Sequence, residues 1–222
     1  MKRPAIKICG LSSEDTIDHV IRRGASHVGF IFFEKSPRYV EPDVAGGLIN
    51  HVRGRAKTVA VSVDADNELL EEIVYAARPD MLQLHGHETP DRVMTIKALF
   101  GLPVIKAFSL RTPEDLARVS DYDGVADHLL FDAKPPANAT LPGGNGVTFD
   151  WRLLAGWRPT IPYFLSGGLS AENVAAALHE TGAQGLDVSS GVESAPGEKD
   201  PELIRAFFAA IRQALEADAA PA

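Results

Sequence analysis

Two runs of alternating apolar residues end in groups that can move protons. The chain's single cysteine, Cys9, closes the run Ala5 to Cys9, and Asp132 follows the apolar stretch Leu129 to Phe131. In an extended strand successive side chains take opposite faces, so Lys7 and Cys9 share one face while Ile6 and Ile8 share the other. If the apolar pair faces a helical layer, the lysine and the thiol point inward together. A charged lysine there favours the thiolate and makes Cys9 a better base. A lone cysteine can equally be a packed core thiol, and its type alone does not choose. Leu130 and Asp132 share a face in the same way. An aspartate in that place often caps a helix, but Pro135 and Pro136 follow and no helix begins at once. A base and an acid at two strand ends are the equipment for proton-transfer chemistry.

Other polar residues gather at similar ends. Gln83 and His85 alternate with Leu82 and Leu84 before the turn at Gly86, as site members or as a satisfied structural pair. Ser166-Gly167-Gly168-Leu169-Ser170 leads from one strand toward a helix expected to begin near Ala171, and Ser189-Ser190-Gly191 follows another strand that carries Asp187. Small-residue loops of this kind let backbone N–H groups converge on an anion, which marks Gly167, Gly168, Ser189 and Ser190 as a phosphate grip. Arg38, in Ser36-Pro37-Arg38, can hold a carboxylate in a bidentate fork or can be an ordinary solvated arginine. Together the residue types point to a small molecule with a phosphate and a second anionic group.

The elements that must position these residues alternate along the whole chain. Strands are expected at Ala5 to Cys9, His27 to Phe33, Lys57 to Val63, Met81 to Leu84, Pro103 to Phe108, His128 to Phe131, Pro162 to Ser166 and Gln184 to Val188. Helical spacing fills the gaps, as in Ile17, Val20 and Ile21, and in Leu203, Ile204, Phe207, Phe208 and Ile211 after Pro201. Eight βα units predict an α/β protein, a single-domain (β/α)8 TIM barrel over residues 1–216, with a frayed tail at 217–222. In that fold the chemistry lies at the C-terminal ends of the strands, and loops after strands seven and eight are its usual phosphate site. An open doubly wound sheet is the alternative, but Gly10 is followed by Leu11, Ser12 and Ser13 with no dinucleotide-binding glycine pattern. The Pro- and Gly-rich stretch Lys134 to Val147 reads as an active-site loop that closes over bound substrate.

Composition narrows the partners. A net charge of −8 disfavours broad contact with nucleic acid or anionic lipid. No apolar run is long enough to span a bilayer, and the N-terminus has no long apolar core of a secretion signal. A cytoplasmic enzyme is therefore expected. The seven histidines are scattered, outside any zinc-like spacing, and no metal is expected. One cysteine cannot form an internal disulfide.

The motifs also resemble a known family. KICGL (7–11), GFIF with SPR (29–38), QLHG (83–86), LFDAK (130–134), PGGNG (142–146), FDW (149–151), SGGL (166–169) and DVSSGVES (187–194), continued by PGEKD (196–200), are similar to phosphoribosylanthranilate isomerases. They run in the family's order across nearly the whole chain. Two places depart from the pattern: Ser62, where a bulkier apolar residue is usual, and Gly185-Leu186 before Asp187. The resemblance implies an Amadori rearrangement in tryptophan biosynthesis, with Cys9 taking the sugar C2 proton and Asp132 protonating the ring oxygen. It implies that Arg38 holds the anthranilate carboxylate, that Gly167, Gly168, Ser189 and Ser190 grip phosphate through amides and hydroxyls, and that Lys7, Gln83, His85 and Asp187 surround the substrate. No cofactor is implied, since the iminium nitrogen is the electron sink. A monomer or a homodimer fits equally.

Three rivals share the phosphate grip. A pentose-phosphate epimerase expects metal-binding His and Asp at strand ends; an indole-glycerol-phosphate synthase-like lyase expects lysine and glutamate catalysts at the rim. A non-catalytic phosphate-binding barrel would tolerate loss of Cys9 and Asp132.

Overall fold

The computed structural model describes residues 3–133, 143, 144, 146, 148–157 and 159–219. Eight parallel strands close into one barrel in chain order: β1 (Ala5–Cys9), β2 (His27–Ile31), β3 (Lys57–Ser62), β4 (Met81–Leu84), β5 (Val104–Leu110), β6 (His128–Ala133), β7 (Tyr163–Leu165) and β8 (Gly185–Val188). β1 pairs with both β2 and β8, which closes the ring. No strand end departs from its sequence expectation by more than two residues. A small hairpin, β9 (Glu193–Ala195) with β10 (Glu198–Lys199), follows the eighth strand.

Alternation along the strands divides the core into two layers. Cys9, Val59, Val61, Met81, Ile105, Ala107, Leu130 and Phe164 fill the barrel interior. Ile6, Ile8, Leu82, Leu84, Leu129 and Phe131 face outward and pack with the helices. The inward face at the strand ends is thereby left to Lys7, Cys9, Gln83, His85 and Asp132.

The helices are α1 (Glu14–Arg23), α2 (Pro42–Val52), α3 (Asn67–Ala77), α4 (Pro90–Phe100), α5 (Pro113–Ala117), α6 (Val174–Thr181) and α7 (Pro201–Ala219). Their ends follow local chemistry. Ser13 caps α1 through the Thr16 N–H, and the Asp200 carboxylate accepts from the first free amides of α7, Glu202 and Leu203. Between β6 and β7 the described residues hold only a short 3₁₀ turn, Trp151–Leu154. α7 runs to Ala219 and so takes in the first three residues of the expected tail, in keeping with the helix preference of Ala217 and Ala219. Both family departures lie in packing positions. Ser62 is 2% exposed with no hydrogen-bond partner for its hydroxyl. Gly185 leaves room for the Phe164 ring, which a Cβ would approach to 2.7 Å.

Candidate active site

A cavity of about 690 Å³, counted to its open mouth, lies at the C-terminal ends of the strands. Cys9 and Asp132 both line it, from β1 and β6. Gln83 and His85 enter from β4, Arg38 from the loop after β2, and Asp187 from β8. The segments 166–169 and 188–191 form one side. Among the described residues no group of three His, Cys, Asp or Glu is placed to hold a metal ion.

Beneath the cavity Lys7 is wholly buried, and its Nζ stands 2.8 Å from Asp187 Oδ1. Burial opposes the ammonium charge, but the Asp187 carboxylate and the neighbouring thiol outweigh it, and the lysine pKa is raised. Asp187 Oδ2 accepts from the Ser166 hydroxyl at 3.2 Å. Lys7 does favour the Cys9 thiolate, as the sequence led one to expect, but its pull is not the larger one. Burial pushes the Cys9 thiol up, and this outweighs the opposing pull of Lys7 and Lys199, while Asp187 adds to the rise. The thiol is 5% exposed, so little water reaches the sulfur to stabilise an anion.

Gly29 on β2 provides space for this group. A Cβ there would stand 3.0 Å from the Cys9 sulfur and 3.2 Å from Lys7 Nζ. Sequence reasoning gave Gly29 no role, although a glycine inside a strand is a known sign of close approach.

Asp132 is 5% exposed and reaches the cavity because β6 continues to Ala133. Its Oδ1 accepts from the Ala133 N–H at 2.8 Å, while Oδ2 lies 3.4 Å from His85 Nε2. Gln83 Nε2, a donor only, is 3.0 Å from His85 Nδ1. That contact makes Nδ1 an acceptor and leaves the ring proton on Nε2, which faces no hydrogen-bond partner among the described residues and has Asp132 as a near neighbour. The 3.4 Å separation is long for a hydrogen bond, and such contacts tighten when substrate fills a site.

Gly167, with φ +86°, approaches the same carboxylate: a Cβ there would meet Ala133 N at 2.6 Å and Asp132 Oδ1 at 3.0 Å. Helix α6 begins at Val174 and not near Ala171, because Asn173 folds back, accepting from Ser170 N at 2.9 Å and donating to Gly168 O at 2.8 Å. The loop after β7 is therefore held by a side chain as well as by the helix. The Ser189 hydroxyl is also engaged, donating to Cys9 O at 3.0 Å. Of the loop expected over Lys134 to Val147, only Gly143, Gly144 and Gly146 are among the described residues; Gly143 and Gly144 line the cavity, and the expected closure lies outside the described residues.

Arg38 is 5% exposed, drawn inward by a turn in which the Ser36 hydroxyl accepts from its N–H. Its Nε and Nη2 each donate to Glu193, both at 2.7 Å. The fork expected for a ligand is thus used on its side edge by the protein's own carboxylate. Glu193 does not use Nη1, the atom that forms the end edge with Nη2, and a Cβ on Gly144, which lines the cavity with Arg38, would stand 3.0 Å from Nη1.

The family model for N-(5'-phosphoribosyl)anthranilate isomerase matches residues 6–210. The chain belongs to this family. The N-(5'-phosphoribosyl)anthranilate isomerase of Allorhizobium ampelinum is 60% identical over 212 residues, covering 96% of this chain and 95% of its relative. Among solved structures, the phosphoribosylanthranilate isomerase of Thermotoga maritima aligns with a TM-score of 0.85 at 31% identity, over 95% of this chain and 99% of that one. A second phosphoribosylanthranilate isomerase structure, in complex with reduced 1-(o-carboxyphenylamino)-1-deoxyribulose 5-phosphate, aligns at 0.82 and 29% identity, over the same shares. The phosphoribosylanthranilate isomerase fold is thus present here from the first strand into the last helix.

Proposed function

We propose that this chain catalyses the Amadori rearrangement of N-(5-phosphoribosyl)anthranilate to 1-(2-carboxyphenylamino)-1-deoxyribulose 5-phosphate, a cytoplasmic step of tryptophan biosynthesis, by general acid and base catalysis. The observation that carries the reading is that Cys9 and Asp132 line one cavity between two glycine- and serine-rich loops and an inward arginine.

Asp132 gives its proton to the furanose ring oxygen, the C1–O bond breaks, and the anilino nitrogen takes the positive charge as an iminium. Cys9, as thiolate, removes the C2 proton, and its electron pair neutralises the iminium. The resulting enaminol tautomerises to the ketose. The iminium is the electron sink, so the chemistry asks for no cofactor. His85 Nε2–H stabilises the carboxylate that remains after Asp132 has donated, and Gln83 fixes the tautomer that makes this possible. The amides of Gly167, Gly168, Ser189 and Ser190 hold the phosphate. The end edge of Arg38 holds the anthranilate carboxylate, while Lys7 and Asp187 act from below as a neutral support. Every assigned residue comes from this one barrel, so a monomer or a homodimer serves equally.

The test is incubation of purified protein with freshly made phosphoribosylanthranilate, without metal or cofactor. Conversion to the ketose is expected; binding of the product analogue without turnover would leave a phosphate-binding barrel and overturn the isomerase reading.

A further inference from the structure

We propose that Glu193 and Lys199, carried on the β9–β10 hairpin, are positioning residues that fix which edge of Arg38 meets the substrate carboxylate and tie that arginine to the strand of Cys9. This rests on the isomerase reading and goes beyond it.

The hairpin holds a closed chain of buried contacts. Arg38 grips Glu193 through Nε and Nη2, and Lys199 Nζ donates to the same carboxylate at 2.5 Å. The three side chains are only 3 to 4% exposed. Lys199 Nζ also donates to Ser189 O at 3.0 Å and to the Ser189 hydroxyl at 3.3 Å, and that hydroxyl donates to Cys9 O. At the hairpin turn Gly197 N–H donates to Glu193 Oε2 at 3.3 Å, and a Cβ on Gly197 would meet Pro37 O at 2.6 Å. The turn therefore sits directly on the loop that carries Arg38.

A carboxylate beside an anion-binding arginine weakens its pull on anions, and burying it costs more still. What it supplies is geometry. A free arginine loses side-chain entropy whenever it grips a ligand, whereas Arg38 is already held in place. With its side edge occupied, only the end edge is open, so the carboxylate must arrive in one plane. The charges also fit. Arg38 lines the cavity, with Glu193 and Lys199 behind it. Burial pulls the Lys199 ammonium down against the support of Glu193, and the substrate carboxylate supplies the second anionic partner of the arginine. Burial alone would raise the Glu193 carboxyl; Arg38 and Lys199 outweigh it and hold the group ionised.

Turnover of phosphoribosylanthranilate is compared with that of the phosphoribosyl-aniline analogue, which lacks the carboxylate, in the wild type and in Glu193→Gln. The wild type should prefer the natural substrate in kcat/KM by about tenfold or more, the worth of one charge-assisted contact. Glu193→Gln should lose most of that preference, through KM, with turnover of the analogue little changed. A purely structural role would slow both substrates alike. An unchanged preference in Glu193→Gln overturns the inference. If that variant does not fold, Glu193→Asp, which keeps the charge but shortens the reach to Arg38, carries the same expectation and the same overturning result. A wild type inert on both substrates sinks the isomerase reading and the inference with it, a pattern distinct from active protein with unaltered preference.

Discussion

Lys7 Nζ lies 2.8 Å from Asp187 Oδ1, with the two side chains 0% and 6% exposed. The cation nearest the Cys9 sulfur is therefore half of a buried pair, and its field at the sulfur is opposed by the carboxylate that holds it. Removing one partner leaves an uncompensated charge in the barrel interior, at a cost of about 3 to 5 kcal/mol. Lys7→Met and Asp187→Asn should each lose stability on that scale in urea unfolding. The double variant should be less destabilised than the two single losses added together. Strict additivity would show that the pair is not coupled.

Cys9 and Asp132 must act in the ionisation states their chemistry demands: thiolate and carboxylic acid. Burial raises the thiol, so in the empty site the proton resides on sulfur and the working thiolate is the minor form. In Asp132→Asn only the thiolate is needed, so the residual rate should climb with pH on the alkaline side. Cys9→Ala and Asp132→Asn should each lose about 10² to 10⁴ in kcat. A residual Asp132→Asn rate that stays level on the alkaline side would contradict a thiol that rests protonated.

Gly29 is a packing requirement of the base. A methyl group 3.0 Å from the sulfur and 3.2 Å from Lys7 Nζ must displace one of them. Within a strand Gly→Ala is ordinarily favourable by about 0.5 to 1 kcal/mol. Gly29→Ala should instead leave stability level or reduced and lower kcat by about 100-fold, the effect of moving a reacting group by about 1 Å. Affinity for the product analogue should change far less, since the phosphate loops are untouched. Steady-state kinetics beside calorimetric titration separates the two, and unchanged kcat would show that the sulfur has room to move.

The barrel and its inward face were legible because alternation is local. Lys7 with Cys9, Gln83 with His85, and Leu130 with Asp132 each declare their face within a few residues. Family motifs added what alternation cannot, namely which substrate such a rim would take. The thiol's ionisation was not legible: sequence showed a lysine two residues away, but burial and the opposing Asp187 come from elsewhere in the chain. Glu193 and Lys199 fell inside recognised motifs and drew no role, being an acid and a base of ordinary surface type. The signal available was Gly197 between two short extended pieces, a hairpin in the place of a helix. The late start of α6 was hidden for a similar reason, since Asn173 folds back onto Gly168 through a contact no periodicity encodes.

The floor of the barrel should make the protein sensitive to acid. His27, at the start of β2, packs edge-on against Phe164 with ring centroids 5.2 Å apart, and its Nδ1 lies 2.9 Å from the Ser26 hydroxyl. His128, at the start of β6, packs against the same phenyl ring, and burial lowers its pKa as well. Burial, with Lys7 and His128 nearby, pushes His27 down to about 4, against 6.5 for a free imidazole. The unfolded chain therefore takes up this proton at a higher pH than the folded one. Stability from the neutral ring is complete above about pH 6.5 and is lost as pH falls from there to about 4. After discounting for partial exposure, the loss is on the order of 2 kcal/mol. Carboxylates titrate in the lower part of this range, so the measurement is a difference. Urea midpoints of wild type and His27→Gln, compared at pH 7.5 and pH 5, should show the wild type losing more. Equal losses in the two proteins would mean that His27 does not set the acid limit.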